Sequence, residues 1–320
     1  MRADPAAAAC RAAAACRAVP VGVIGWPVAH SLSPVMHNAA IKALGLNWHY
    51  LALPVAPGLV DDALRGVRAL GFRGINVTVP HKTAVMASLD AVAPEAAALG
   101  AVNTVVVRHD AGGTAFLYGT NTDVAGFTGA LLAGGHDPVH DRPALVVGAG
   151  GAARAIVYAL LTAGVSEVKV LNRTVAHAEG LIADLSTRCT GRGHLQAVAL
   201  SDDHLVSLAR EADLLVNATT VGMWPHTEAS IWPDGVPVPA GLTVYDLVYN
   251  PLETRLLRQA RRGGARAIDG LDMLARQGAL ALALWLEASP DEASPGGTSA
   301  LDVDAMSELM RQACWDVLAA

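Results

Sequence analysis

Lys82 closes the run Gly74-Ile75-Asn76-Val77-Thr78-Val79-Pro80-His81-Lys82, in which a short apolar strand ends in a cluster of polar side chains. The chain holds three lysines against twenty arginines. An arginine keeps its proton in a protein whereas an ammonium can release one, so this strand end carries the cation able to do acid–base chemistry. A single lysine is ordinarily a solvated surface residue, but its neighbours argue for more. Asn103-Thr104 and Asn121-Thr122-Asp123 bring amides, hydroxyls and a carboxylate to neighbouring strand ends. Ser31-Leu32-Ser33-Pro34 offers two hydroxyls one residue apart, which on extended backbone would point the same way. Alone, such a segment more often caps a helix. Together these groups form a pocket of uncharged donors and acceptors, suited to a polyhydroxylated ring.

A second chemical site is written in Ala144-Leu145-Val146-Val147 followed by Gly148-Ala149-Gly150-Gly151-Ala152-Ala153. Gly148, Gly150 and Ala153 match G-x-G-x-x-G/A where a strand passes into a helix. Glycines there let the backbone approach a pyrophosphate, whose charge is met by the N–H groups opening the helix. An NAD site would place Asp or Glu about 20 residues further on, at the ribose hydroxyls. This chain has Asn172-Arg173-Thr174 instead. Arginine suits a 2′-phosphate through charge-assisted, bidentate hydrogen bonds, so NADP is expected over NAD. Asn217-Ala218-Thr219-Thr220 ends a further strand on the same edge and is expected to face the cofactor.

The elements that must hold these sites alternate between strand and helix. The pattern predicts strands at 21–25, 48–55 and 74–80, helices at 34–44, 60–70 and around 83–89, and a hairpin of 101–108 with 114–119. It continues with strands at 144–147, 168–171, 214–217 and 243–247, and with helices from the glycine loop through Leu161, over 271–287 and over 303–318. The expected fold class is α/β with two domains: a discontinuous substrate domain, residues 21–122 completed by 271–320, and a Rossmann-like doubly wound domain at 123–270. The linker is expected near Thr122–Gly126. Residues 1–20, rich in alanine and of low complexity, suit a secretory signal poorly and are expected to be a disordered or loosely helical extension.

Composition removes several function classes. A formal net charge of −6 without a basic cluster leaves no footprint for nucleic acid. No run of about 18 apolar residues is present, so no membrane span is expected. Cys10, Cys16, Cys189 and Cys314 form neither a CxxC pair nor a dense disulfide framework, so a reducing, cytoplasmic setting and no metal are expected.

The chain resembles the shikimate dehydrogenase family. The segments GWPVAHSLSPVMHNAA, GINVTVPHK, GAVNT, NTD, VGAGGAARA, NRT, NATTVGM, DLVYNPLET and GLDMLARQGA stand in that family's order and spacing, from about Val21 to Glu287. The resemblance implies reversible, NADPH-dependent reduction of 3-dehydroshikimate to shikimate in aromatic amino acid biosynthesis, with the active site between two domains. It implies Lys82 and Asp123 as the catalytic pair, and Ser31, Ser33, Thr78, Asn103, Asp123, Tyr249 and Gln277 as substrate ligands. It assigns the cofactor to Gly148, Ala149, Gly150, Gly151 and Ala152, to Asn172, Arg173 and Thr174 at the adenosine end, and to Leu247 and Gly270. Gln277 is also legible without the family: its spacing from Leu274 and Ala281 puts an amide on the inward face of a helix. Two departures stand out: strict NADP users often carry a second basic residue where this chain has His177, and relatives often have an acidic residue where it has Thr120.

Two other functions fit parts of this pattern: a quinate/shikimate dehydrogenase using NAD, and a non-catalytic ligand sensor. Arg173 disfavours the first. A sensor is expected to have lost Lys82 or Asp123, and both are present. The expected partner is a small molecule, on a monomer or homodimer.

Overall fold

The computed structural model describes residues 18–110, 112–137, 142–189, 193–289 and 301–320. Most of the expected N-terminal extension, through residue 17, and the loop at 290–299 lie outside the described residues.

The first lobe is built on a mixed sheet in the order β2-β1-β3-β5-β6-β4. Its strands are β1 (Val19–Gly25), β2 (Trp48–Pro54), β3 (Gly74–Val77), β4 (Ala91–Val92), β5 (Thr104–His109) and β6 (Ala115–Thr120). β1 pairs parallel with β2 and β3, and β5 runs antiparallel to both β3 and β6. The hairpin β5–β6 turns on Asp110, whose Oδ1 accepts from the N–H groups of Gly112 and Thr114 at 2.9 Å each. Helices α1 (Ser33–Ala43), α2 (Val60–Ala69) and α3 (Pro94–Leu99) complete this half. In α2 the apolar Val60, Leu64 and Val67 recur on one face and are buried.

Two expectations are corrected in this lobe. β3 stops at Val77 rather than at residue 80: the chain turns where His81 N–H donates to Thr78 O at 2.9 Å, and Pro80 has no N–H for a ladder. The helix expected around 83–89 is a 3₁₀ stretch, Ala84–Ser88.

The second lobe holds a wholly parallel sheet, β12-β11-β10-β7-β8-β9. It comprises β7 (Ala144–Val147), β8 (Glu167–Asn172), β9 (His194–Ala199), β10 (Leu214–Asn217), β11 (Thr243–Asp246) and β12 (Arg266–Ile268). All four residues of β7, β10 and β11 are buried, as required of strands covered on both faces. The order is that of a doubly wound dinucleotide fold, with its switch point between β7 and β10. The helices are α4 (Asp123–Ala133), α5 (Gly151–Ala163), α6 (Val175–Arg188), α7 (Asp202–Ala209) and α8 (Arg255–Arg262).

The segment expected as a linker, Thr122–Gly126, is the first turn of α4. Asp123 places a carboxylate at its N-terminus, where the helix dipole favours one. Gly126 acts as a close-packing point rather than a breaker: a Cβ there would lie 3.0 Å from that of Gln277. Gln277 belongs to α9 (Leu271–Glu287), which returns with α10 (Val303–Ala319) to the first lobe. There Trp285, Leu282, Met306, Met310 and Cys314 join Val21, Met36 and Tyr50 in one core. Trp285 also donates its indole N–H to Val105 O at 3.0 Å. Among the described residues no helix is long and apolar enough to cross a membrane.

His37 lies in this core with its ring stacked on Tyr50 (centroids 4.2 Å apart, planes 4° from parallel). Neither ring nitrogen has a hydrogen-bond partner among the described residues. Burial pulls its pKa from 6.5 down to about 3. The folded protein therefore binds this proton more weakly than the unfolded chain. The stability linked to His37 is fully present above pH 6.5 and is lost as pH falls from there toward 3, at about 1.4 kcal/mol per pH unit. Urea titrations between pH 7 and 4 are expected to give a steeper loss for the native chain than for His37→Phe.

Candidate active site

The carboxyl edges of both sheets meet at a cavity of about 190 Å³. The first lobe lines it with Ser31, Ser33, Asn76, Thr78, Lys82 and Asn103. Asp123 enters from α4 and Gln277 from α9, while Ala152, Leu247, Tyr249 and Gly270 close the other side. Every residue expected to touch the substrate is thus on one wall or another.

Lys82 Nζ donates to Asp123 Oδ2 at 2.8 Å, with the two side chains only 16% and 8% exposed. The carboxylate is held on its other side too: Asn103 Nδ2 donates to Asp123 Oδ1 at 2.9 Å. Asn103 is itself fixed, because its Oδ1 accepts from Thr122 N–H at 2.8 Å and from the Thr104 hydroxyl at 2.9 Å. Asn121 Oδ1 accepts from Asp123 N–H at 2.9 Å, and its amide donates to Ala101 O at 3.1 Å. A buried charge pair needs its remaining valences met, and an uncharged amide meets that of the second carboxylate oxygen here.

Behind the cavity the network continues. Asn76 donates to Thr104 Oγ1 at 3.1 Å and accepts from the Tyr50 hydroxyl at 2.8 Å. Asn76 is not among the expected site residues, although its signal is present in the sequence: it is a polar residue inside a strand buried at all four positions. Gln277 Nε2 donates to Leu274 O at 2.8 Å, leaving Oε1 3.4 Å from Asn103 Nδ2. Ser31 and Ser33 converge for a different reason from the one expected. Leu32 is helical rather than extended, and Ser31 Oγ accepts from Ser33 N–H at 3.2 Å, so a turn at the start of α1 aims both hydroxyls.

On the facing lobe, Gly148 adopts φ 116°, and a Cβ on it would lie 3.0 Å from Ala218 O, so only glycine lets β7 pass β10 this closely. At Gly150, among the described residues other than its two chain neighbours, no atom stands within 4 Å of the Cβ position. That leaves an open cradle over the N-terminus of α5, whose first turn carries no acid. These residues fit a pyrophosphate. At the end of β8, Asn172 Nδ2 donates to Thr174 O at 2.9 Å and shapes the turn. Arg173, Thr174 and His177 are exposed beside the start of α6, which also lacks an acid in its first turn. This suits a second phosphate.

Within the segment expected to face the cofactor, Asn217 is the inward member: its amide donates to Asp246 Oδ1 at 2.9 Å and Val221 O at 3.2 Å. Asp246, its carboxyl pushed by burial to about 6, also accepts from Thr254 and from Val248 N–H. It thereby holds the backbone that carries Leu247 and Tyr249. Ala218 and Thr219 are the part of that segment lying against the glycine loop.

Fold and site together define a two-lobed α/β oxidoreductase of the dinucleotide-dependent class. The comparisons narrow this. The family model for the shikimate dehydrogenase substrate binding domain matches residues 23–105, and that for shikimate / quinate 5-dehydrogenase matches residues 132–224. A shikimate dehydrogenase (NADP(+)) of Moorella thermoacetica is 50% identical over 83% of this chain and 87% of its own length. The crystal structure of shikimate 5-dehydrogenase from Thermus thermophilus in complex with NADP(H) and shikimate superposes with a TM-score of 0.74 at 42% identity, covering 92% of this chain and 99% of that one. Quinate dehydrogenase from Corynebacterium glutamicum in complex with NAD gives 0.77 at 31% identity, over 92% and 99%. The chain belongs to the shikimate dehydrogenase family.

Asn103→Ala removes the donor to Asp123 and the acceptor for Thr122 N–H together. The variant is expected to lose about 1–3 kcal/mol of stability in urea denaturation, with a raised KM for the ring substrate in steady-state assays.

Proposed function

We propose that the chain is a shikimate dehydrogenase, reducing 3-dehydroshikimate to shikimate reversibly with NADPH in the cleft between its lobes. One observation carries the reading: the Lys82–Asp123 pair sits in a donor-lined cavity and faces the dinucleotide loop, where a Cβ on Gly151 would lie 3.7 Å from Lys82 Cδ. The corresponding division of labour is a substrate domain of residues 21–122 completed by 271–320, and a cofactor domain of 123–270.

When bound, NADPH supplies a hydride to the carbonyl carbon. The protein does the rest. Negative charge grows on the carbonyl oxygen, and Lys82 Nζ donates a proton to it; in the reverse direction Nζ accepts the hydroxyl proton. Asp123 keeps the ammonium on the side of the reacting oxygen and accepts from a ring hydroxyl. Asn103 and Gln277 hold the neighbouring hydroxyls. The hydroxyls of Ser31, Ser33, Thr78 and Tyr249 bind the carboxylate, since no arginine is among the described residues that line the cavity. Gly148 to Ala152 would hold the pyrophosphate, Asn172 would shape the adenosine end, Arg173 and Thr174 would bind the 2′-phosphate, and Leu247 and Gly270 would contact the nicotinamide end. The enzyme works in the cytoplasm as a monomer or homodimer, a setting that suits the free thiols of Cys189 and Cys314.

Initial rates with shikimate and with quinate, each with NADP+ and NAD+, test the reading. Shikimate with NADP+ is expected to give the highest kcat/KM, and a preference for quinate with NAD+ overturns it. Lys82→Ala is expected to lower kcat about 10²- to 10⁴-fold at saturating substrate, and Asp123→Asn to lower it as well; unchanged kcat in either removes that residue from the mechanism. His177→Arg adds a permanent charge beside the 2′-phosphate and is expected to raise the NADP+/NAD+ ratio of kcat/KM about tenfold.

A further inference from the structure

Arg154 lies in the first turn of α5, where its N–H donates to Gly150 O at 3.0 Å. Its side chain points away from the cofactor cradle and crosses to the other lobe. There its guanidinium donates to Leu99 O at 3.1 Å and also to the Asp184 carboxylate on α6. Asp184 binds a second guanidinium through Arg188 Nε at 2.9 Å, and Arg188 in turn donates to Ala97 O at 3.2 Å. The two arginines hold the Asp184 carboxyl below its ordinary value, the Arg188 hydrogen bond contributing most. Two cations of one lobe thus meet the last-turn carbonyls of α3 in the other, the negative end of that helix.

The segment after α3 makes this contact more than a lobe-to-lobe staple. Gly100 ends the helix in the left-handed region at φ 73°, and a Cβ there would lie 3.2 Å from the Arg154 guanidinium. The next three residues reach each part of the catalytic group. Ala101 O accepts from Asn121, the side chain that also holds Asp123 N–H. Val102 N–H donates to the backbone carbonyl of Lys82 at 2.8 Å. Asn103 donates to Asp123. Arg154 therefore joins the helix opened by the dinucleotide loop, through one carbonyl and a four-residue segment, to both members of the Lys82–Asp123 pair.

We propose that Arg154, braced by Asp184 and Arg188, is a positioning residue that fixes the distance between the dinucleotide loop and the Lys82–Asp123 pair. This rests on the dehydrogenase reading above. Hydride transfer needs the reacting atoms held in near-attack geometry, and a misplacement of about 1 Å costs on the order of 10²-fold. A slack clamp weakens this alignment while leaving each ligand's own contacts in place.

The test uses the full chain and two variants, Arg154→Met and Arg188→Met, with shikimate deuterated at the carbon that loses hydride. Both are expected to lower kcat, Arg154→Met by about tenfold or more, with KM for shikimate and NADP+ within about threefold. The deuterium isotope effect on kcat is expected to rise toward that of the isolated hydride step. Arg154→Lys, which keeps a donor for Leu99 O, is expected to recover part of kcat. A kcat within twofold of the native value in both methionine variants overturns the proposal, as does a lower kcat with an unchanged isotope effect, which reports only less active protein. If Arg154→Met fails to fold, Arg188→Met and Arg154→Lys carry the same measurement. A native chain that does not oxidise shikimate with NADP+ defeats the dehydrogenase reading, an outcome separate from a native chain that is active and variants that match it.

Discussion

The Lys82–Asp123 ion pair sets the terms for everything around it. Two opposite charges 2.8 Å apart and largely out of water gain from each other but forfeit hydration, and such pairs contribute little net stability unless every remaining valence is matched. On the carboxylate the match is made by neutral groups from two places in the chain: Asn103 donates to it directly and is held by Thr104 and by Thr122 N–H, while Asn121 holds the Asp123 backbone N–H. β3 and β6 stand on either side of β5 through the antiparallel hairpin, and the chain leaving each brings 82 and 123 together. The first sheet is mixed for this reason of connectivity, whereas the second is parallel throughout.

The two sides of the cavity also divide the electrostatic labour. The substrate side presents one ammonium, one carboxylate and a set of hydroxyls and amides whose dipoles are already fixed by bonds to one another. Such preorganised groups need little rearrangement as charge develops. The cofactor side presents backbone N–H groups over an open glycine and exposed cationic or polar side chains at the end of β8, which suits phosphates that arrive carrying their own charge.

Much of this is legible in the sequence where the signal is local. The boundaries of α9 coincide with the apolar periodicity, and Gln277 faces the cavity as its spacing from Leu274 and Ala281 requires. The glycine loop falls between β7 and α5, at the switch point. Features that local pattern does not reveal depend on partners far along the chain. Ser31 and Ser33 converge through a turn rather than extended backbone. Asn217 is drawn inward by Asp246, a residue 29 positions away. Gly126 resembles a linker glycine until Gln277, from the last third of the chain, packs against it. Arg154 sits inside a recognisable motif, yet its side chain serves a carbonyl of the opposite lobe.

The close approach of α4 and α9 at Gly126 and Gln277 has a mechanical meaning. These helices carry the chain between the lobes, and each bears a residue that lines the cavity, Asp123 on one and Gln277 on the other. Points near an axle sweep short arcs and points on the rim sweep long ones. A small rocking of one lobe against the other would therefore leave the cavity nearly still, and with it the glycine loop that Arg154 ties to the Lys82–Asp123 pair, while the end of β8 would travel further. The donor-lined cavity is the bearing of the molecule, and the end of β8 stands out along its lever arm.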